Sequence, residues 1–178
     1  MASMIDGAAI RDTTASDAAA LAALYATAFP DEALGPLVRR LHAEVPDLVS
    51  LVAAVGGTVA GHVLFTPSAV EGAGRPVALL GPLAVAPDRQ RRGLGCALVR
   101  SGFDRLRRTE VGLVLVLGDP AYYARFGFRP ERRIRPPYAL PAEWAAAWQS
   151  VALDGDTGAL SGVLRPPAPW LSPSLWAP

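Results

Sequence analysis

The stretch Leu83-Ala-Val-Ala-Pro-Asp-Arg-Gln-Arg-Arg-Gly-Leu-Gly-Cys96 carries the strongest structural signal in this chain. A β-prone run ends there in a turn that opens directly into a helix. Gly93 and Gly95 have no side chains, so an anion can come close to the backbone. The first N–H groups of the helix have no intrahelical acceptor and point toward such an anion. Arg91 and Arg92 add positive charge, so the stretch predicts a site for a ligand with several phosphates.

Two familiar phosphate motifs do not fit this turn. A dinucleotide-binding fingerprint needs a third glycine where Leu98 stands, and a P-loop needs a lysine, which the chain lacks. The pattern that remains is Gln90-x-x-Gly93-x-Gly95 after a strand interrupted by Pro82. Taken alone, this pattern leaves open a plain glycine-rich turn with solvated arginines.

The elements on either side of the turn predict a βαβ unit. The run 77–86 is β-prone, the apolar spacing from Leu94 to Leu106 is that of a helix, and 111–117 is almost continuously apolar. Because proline cannot donate a ladder hydrogen bond, we expect the first of these strands to be bulged or at an edge near Pro82. The sheet should therefore open at that point.

The remaining sequence predicts further elements on both sides of this unit. A strand at 8–11 precedes a capping box at 14–17 and two helices, one carrying Leu21, Leu24, Tyr25 and Ala28 and the other Leu34, Leu37, Val38 and Leu41. Gly56-Gly57 separates the runs 48–55 and 59–65, as in a hairpin. Later elements are a short helix at 120–126, strands at 146–153 and 162–165, and an irregular tail from 166.

Composition limits the classes of function. With 178 residues, 51% of them apolar, the chain is long enough for one domain and too short for two ordinary ones. The single Cys96 excludes an intramolecular disulfide, and with no Cys/His cluster we expect no metal. A net charge of +1 gives no support for nucleic-acid or membrane binding. The apolar runs are shorter than the about 20 residues of a membrane span, and no signal-peptide pattern opens the chain, so we expect a cytoplasmic protein.

A second motif accompanies the turn. In Asp119-Pro-Ala-Tyr-Tyr-Ala-Arg-Phe-Gly-Phe128, the residues Tyr123, Gly127 and Phe128 match a Tyr-x-x-x-Gly-Phe signature. With the turn and the order of elements, residues 8–130 resemble the GCN5-related N-acetyltransferase (GNAT) superfamily. The sequence Gly118-Asp-Pro-Ala-Tyr-Tyr and the residues around 161–166 are similar to those of a branch of uncharacterised acetyltransferases. This similarity implies no known substrate.

The resemblance implies a mixed α/β fold whose central sheet is splayed and flanked by helices. It implies one acetyltransferase domain over 1–178, with a core at about 8–130 and a Pro/Trp-rich C-terminal extension at about 131–178. It also implies acetyl-CoA as cosubstrate. The backbone of Leu83, Ala84 and Val85 would bind the pantetheine arm, and the turn residues would hold the pyrophosphate; these are Gln90, Arg91, Arg92, Gly93, Leu94, Gly95 and Cys96.

Tyr123 matches the position of the family's general acid. A tyrosine titrates near pH ~10 and a thiol near ~8.5, so a neutral tyrosine can protonate a departing thiolate. Its neighbour Tyr122 points elsewhere on a helix and is assigned to packing. Cys96 lies at a helix N-terminus, which favours a thiolate, but the turn needs a small residue there and no base is placed to pair with it.

The general base is not apparent. The strand 77–86 has no Asp, Glu or His, so we expect relayed water to serve. Asp31 and Glu32 lie in the loop that lines the acceptor cleft in this family, where they would suit a cationic amine; ordinary solvated acids are the alternative. We expect His62, in the third strand, to be a satisfied core or surface histidine rather than the base, and His42 to lie on a helix surface.

The sequence therefore predicts an N-acetyltransferase that moves an acetyl group from acetyl-CoA directly to a small-molecule or peptide amine. The alternatives are a longer acyl group, a hydroxyl acceptor, or a non-catalytic acyl-CoA-binding or regulatory module. A homodimer is left open. The four tryptophans of the extension would pack in a core, with a pocket wall or a dimer contact as alternatives; they are Trp144, Trp148, Trp170 and Trp176.

Overall fold

The computed structural model describes residues 4–5, 7–155 and 160–177, with side chains from residue 7 onward. The strands in this part of the chain are β1 (Met4–Ile5), β2 (Ala8–Asp12), β3 (Val49–Val55), β4 (Thr58–Val70), β5 (Val77–Val85), β6 (Leu113–Leu117), β7 (Arg129–Pro130), β8 (Ile134–Arg135), β9 (Trp148–Ala152) and β10 (Gly162–Arg165). The α-helices are α1 (Ala18–Ala28), α2 (Leu34–Glu44), α3 (Leu94–Leu106) and α4 (Pro120–Tyr123). Short 3₁₀ turns lie between these elements.

The chain forms two compact units. The first contains Met1–Phe65 and Pro82–Arg105, and the second contains Thr66–Gly81 and Leu106–Pro178. Strands β4 and β5 contribute residues to both. The predicted division between core and extension near residue 130 does not coincide with a boundary between these units, and the single domain with a core at 8–130 stays a prediction.

In the first unit, β1, β2, β3 and the start of β4 pair in sequence order as antiparallel neighbours. Gly56 and Gly57 both adopt positive φ, 55° and 82°, as the tight turn between β3 and β4 requires. Helices α1 and α2 bury four leucines of the predicted apolar faces, Leu21, Leu24, Leu37 and Leu41, while Leu34 at the start of α2 is only partly buried. The hairpin and both helices are therefore where the sequence predicts them, although β4 runs five residues beyond the predicted end at 65.

The capping box at 14–17 starts the segment that leads into α1. The Asp17 carboxylate accepts the Thr14 N–H at 2.8 Å and two hydrogen bonds from Arg11, each 2.8 Å long. These bonds hold the pKa of Asp17 well below its usual range. The first turn is 3₁₀ at Ala15–Asp17, and the α-helix begins only at Ala18.

In the second unit, β6 is central. It pairs in parallel with β5 through Val77–Leu80 and in antiparallel register with β9. The two-residue strand β7 pairs in antiparallel register with β9 and is the next strand of the sheet. Strand β10 pairs with the end of β4 and with β8. The C-terminal extension thus supplies a sheet partner for a core strand.

Two tryptophans of the extension belong to the core of this unit. Trp148 and Trp176 are buried and lie 5.8 Å apart, ring centroid to centroid. The Nε1–H of Trp148 donates to the Ile134 carbonyl at 2.7 Å, so its polar atom is satisfied. Core packing, the preferred reading for these residues, is what the structure shows for both.

The hydrogen bonding of strand β5 is interrupted near Pro82, where the sequence predicts a break. Its ladder with β6 ends at Leu80. Gly81 follows with a φ of 136°, a conformation that favours glycine, and Pro82 has no N–H to donate. The last residues of β5 are therefore freed from the β6 ladder.

Candidate functional site

The turn before α3 curls back on itself. Arg91 has a φ of 62° and Gly93 a φ of 83°, both in the left-handed region. A non-glycine residue in this region is uncommon and marks a constrained backbone. Alternation of left-handed and right-handed residues turns successive N–H groups toward one point, as in anion-binding nests. The Gln90 side chain donates to the Val85 carbonyl at 3.2 Å, so it ties the turn to the end of β5.

The start of α3 supplies more donors. The Ala97 N–H donates to the Gly93 carbonyl at 2.9 Å. The N–H groups of Leu94 and Gly95 lie before this bond in the first turn, where a helix offers no acceptor for them. The Leu94 side chain is buried, which leaves only its backbone for a ligand. Arg91 and Arg92 are exposed beside this end. The site is therefore mainly a backbone site with cations at its rim.

The predicted pantetheine-binding residues lie on the last part of β5. Ala84 is buried, and Leu83 and Val85 are partly buried. The next residue, Ala86, donates its N–H to the Ala60 carbonyl at 2.8 Å and so fixes the strand's end to β4 within the first unit. Side-chain packing of these residues is compatible with a backbone role.

Tyr123 lies in the second unit at the end of α4. Its ring is buried in edge contacts with Tyr122 and Phe128, at centroid distances of 5.0 Å and 5.5 Å. Burial, with a smaller contribution from Tyr122, raises the pKa of Tyr123 above its usual value. The raised pKa keeps the hydroxyl protonated near neutral pH, the state a proton donor needs.

Tyr122 has a different environment. The Arg125 guanidinium lies 4.5 Å from the centre of its ring, and Phe126 packs against its edge. Gly127 ends the segment with a φ of 88°. These contacts agree with the assignment of Tyr122 to packing.

Asp31 and Glu32 are exposed in the loop between α1 and α2. The Glu32 N–H donates to the Phe29 carbonyl at 3.2 Å, and the Leu34 N–H donates to the Glu32 carbonyl at 3.0 Å. The backbone of this loop is thus held while both carboxylates face outward.

Sequence reasoning missed a chain of buried polar side chains in the first unit. The Tyr25 hydroxyl lies 2.8 Å from His62 Nδ1, and His62 Nε2 lies 2.9 Å from Ser50 Oγ. Ser50 Oγ is in turn 2.8 Å from His42 Nε2. Tyr25, His62 and Ser50 are buried, whereas His42 is exposed. Nothing in the order of the sequence links residues 25, 42, 50 and 62; only the fold brings them together.

Burial sets the protonation of this chain. It lowers the pKa of His62 to about 3, with His42 lowering it further and Asp17 opposing, and it raises the pKa of Tyr25. Burial also lowers the pKa of His42, against a hydrogen bond to the Val38 backbone. All three groups are therefore neutral near pH 7.

No grouping of three or more His, Cys, Asp or Glu side chains suited to a metal ion occurs in residues 7–155 and 160–177. Over the same residues, no helix has the length and apolar character needed to cross a membrane.

Comparisons with known proteins identify the family of this chain. Residues 18–128 match the model of the acetyltransferase (GNAT) family. The Escherichia coli K12 protein named uncharacterized N-acetyltransferase YjhQ is 37% identical over 122 residues, which cover 66% of this chain and 67% of that protein. The YhbS protein of the same strain, also named an uncharacterized N-acetyltransferase, is 37% identical over 113 residues, covering 63% and 68%. The chain therefore belongs to the GNAT family.

Crystal structures of related proteins agree. The E. coli YhbS structure in complex with CoA has a TM-score of 0.84 and 29% identity, covering 97% of this chain and 96% of that one. A GNAT family acetyltransferase from Brucella melitensis in complex with acetyl-CoA has a TM-score of 0.74 and 31% identity, covering 92% and 97%. The predicted fold class, mixed α/β with a splayed sheet flanked by helices, is confirmed.

Proposed function

We propose that this protein transfers an acetyl group from acetyl-CoA to an amine. The observation that carries the proposal is the turn at Arg91–Gly93, whose two left-handed residues stand directly before the 13-residue helix α3, a backbone arrangement typical of anion-binding nests. The two solved relatives whose complexes contain CoA and acetyl-CoA support the same ligand here.

The donor set fits a diphosphate. Backbone N–H groups from Arg91 to Cys96 would donate hydrogen bonds to the phosphate oxygens, and Gly93 and Gly95 add no side-chain bulk, so two phosphates can approach closely. Arg91 and Arg92 would neutralise part of the ligand's charge from the rim. The freed backbone of Leu83 to Val85 would pair with the pantetheine amides much as an added strand does.

Acetyl-CoA supplies an activated acetyl group: a bond forms from the amine nitrogen to the acetyl carbon, the carbon–sulfur bond breaks, the nitrogen loses a proton and the sulfur gains one. In this proposal Tyr123 Oη donates the proton to sulfur. Its raised pKa keeps the hydroxyl protonated at neutral pH, as a general acid needs. Asp31 and Glu32 would attract a cationic acceptor to the α1–α2 loop.

One observation keeps a non-catalytic acyl-CoA-binding module as the second candidate. Strand β5 has no Asp, Glu or His from Val77 to Val85 to act as a base. A longer acyl group or a hydroxyl acceptor would be a change of specificity within the first candidate.

Calorimetry with acetyl-CoA, followed by thiol release across a panel of alkylamines, aminoacyl peptides and alcohols, tests the proposal. We expect binding of acetyl-CoA and release of thiol only with amines. Binding without thiol release for any acceptor would favour the module. Absence of binding would overturn both candidates.

A further inference from the structure

We propose that Tyr25, His62, Ser50 and His42 form a proton relay that carries a proton from the acceptor amine to solvent. The inference rests on the proposed function and addresses its missing base. An alkylamine like that of lysine has a pKa of about 10.4, so near pH 7 it arrives protonated and must lose a proton before it can attack.

The inner end of the relay lies at the break in β5. Tyr25 Oη is 3.4 Å from the Pro82 carbonyl oxygen, which belongs to the first residue beyond Gly81. The proposed pantetheine path begins one residue later, at Leu83. A proton donor that contacts the Pro82 carbonyl, either the amine itself or one bridging water, is then within reach of Tyr25 Oη.

The middle of the relay contains a hydroxyl group with a choice of acceptors. Ser50 has one proton, and it donates to Thr13 Oγ1 at 2.6 Å in the structure. The His42 Nε2, 2.8 Å away, is the alternative acceptor whenever His42 Nδ1 keeps its proton on the Val38 carbonyl. Rotation of this hydroxyl moves its proton from Thr13 to His42 without any movement of the backbone.

The outer end opens to water. His42 is exposed and lines a groove of about 530 Å³ between α1 and α2, together with Thr13 and Tyr25. The groove walls are largely small or apolar, including Ala18 and Val38. An imidazolium formed at His42 can therefore lose its proton to water in the groove.

The charges around the relay favour transfer through neutral groups. The His62 ring contacts Tyr25 of α1 and His42 of α2. His42 lowers the pKa of His62, and Asp17, just before α1, raises it. Because Tyr25 and His62 both resist ionisation, a concerted shift of protons along existing hydrogen bonds is favoured over a charge that rests in the core.

The transfer balances as follows. The amine nitrogen gives a proton to Tyr25 Oη, and the Tyr25 proton passes to His62 Nδ1. The proton on His62 Nε2 passes to Ser50 Oγ, and the Ser50 proton passes to His42 Nε2. His42 then releases one proton to water, so each relay member ends with as many protons as it had at the start.

His42→Gln is the first test, because an exposed position tolerates change and glutamine keeps a hydrogen bond to Ser50 but cannot take up a proton. With an alkylamine acceptor we expect kcat/KM to fall by about 10²-fold, the low end for a positioned proton transfer. An α-amino acceptor, with a pKa near 8, has about 300-fold more neutral amine at a given pH and should lose far less. Equal loss for both acceptors would overturn the relay.

Ser50→Ala and Thr13→Val form a matched pair. Both remove the hydrogen bond between Ser50 and Thr13, but only Ser50→Ala interrupts the path to His42. We expect loss of alkylamine turnover, restored by added imidazole buffer, in Ser50→Ala and little change in Thr13→Val. Similar losses in both variants would mean that the cluster acts only through stability.

A readout that needs no turnover separates the relay from the function. In ¹⁵N NMR of the imidazoles without ligand, titration of His42 should shift the His62 Nε2 resonance in wild type and in Thr13→Val, but not in Ser50→Ala. Coupling in wild type with no thiol release for any amine would leave the hydrogen-bonded path intact and overturn the proposed function. Thiol release with no such coupling would overturn the relay alone.

Discussion

The ring of Tyr123 lies directly on Gly118. A β-carbon built on Gly118 would lie 2.4 Å from Cε2 of the ring, closer than real side chains approach, and 3.0 Å from Cδ2. Phe128 supports the ring at a centroid distance of 5.5 Å. Gly118 is therefore needed to position the proposed general acid, although it has no functional group of its own.

Gly118→Ala should displace the Tyr123 ring and lower turnover by about tenfold or more, since a catalytic group misplaced by about 1 Å can cost 10²-fold. Affinity for acetyl-CoA should be little changed, because the residues proposed to bind it lie on other elements. Gly74→Ala is the matched control, as a β-carbon there meets no atom within 4 Å. Unchanged turnover in Gly118→Ala would separate Tyr123 placement from catalysis.

Gly93→Ala should weaken acetyl-CoA binding by at least about tenfold. The new β-carbon would add bulk at the proposed pyrophosphate-binding turn and would strain a backbone that needs positive φ. Gly57→Ala carries the same strain, at a φ of 82°, in a hairpin turn with open space around it. Calorimetry on both variants distinguishes ligand contact from strain. Equal affinity for both would remove the turn from the binding site.

Arg91→Gln should weaken binding of CoA by about 10- to 100-fold, the value of one charge-assisted hydrogen bond. Binding of pantetheine without phosphates should change little, because the interaction needs the phosphate charge. Arg100→Gln, an exposed arginine further along α3, is the control. If CoA and pantetheine weaken equally in Arg91→Gln, the arginine acts through the fold of the turn.

Patterns of spacing predicted most of the fold. The period of the apolar residues located α1 and α2, and the Gly56-Gly57 pair located the first hairpin. The break at Pro82 followed from covalent chemistry alone, since a residue without N–H must interrupt a ladder. The two-residue strands β1, β7 and β8 were missed, because a strand of that length has no period to detect.

The candidate site was predictable only where its residues are consecutive. The turn at Arg91–Gly95 is one continuous motif, so sequence shows it directly. His62 and His42, by contrast, looked like ordinary structural histidines, because their shared partner Ser50 lies on a different strand and is brought to them by packing. The clash between Gly118 and a larger side chain is likewise visible only with the Tyr123 ring in place.

Asp17 makes the free energy of unfolding depend on pH. Its pKa is lowered in the folded protein by Arg11 and Thr14, so the folded state favours the charged carboxylate. The stabilisation is therefore fully present above the unfolded pKa of about 3.9 and is lost as the pH falls below it. Asp17→Asn should lower the Tm at pH 7 but have a smaller effect at pH 3. Asp31→Asn, at an exposed loop position, is the control, and a Tm difference for Asp17→Asn that does not narrow in acid would contradict this role.

Tyr123→Phe keeps the ring and its contacts with Phe128 and Gly118 but removes the proposed proton donor. Acetyl-CoA affinity should survive while turnover falls by about 10²-fold, the low end for general acid catalysis, because a thiolate already leaves readily. Tyr122→Phe is the matched control, since that ring packs on Arg125. Thiol release against pH decides the matter. Because burial raises the pKa of Tyr123, its hydroxyl stays protonated through neutral and mildly alkaline pH, so turnover of Tyr123→Phe should lie below wild type by the same factor across that range. Loss in Tyr122→Phe alone would identify the other tyrosine as the acid, and loss in neither would remove general acid catalysis from the mechanism.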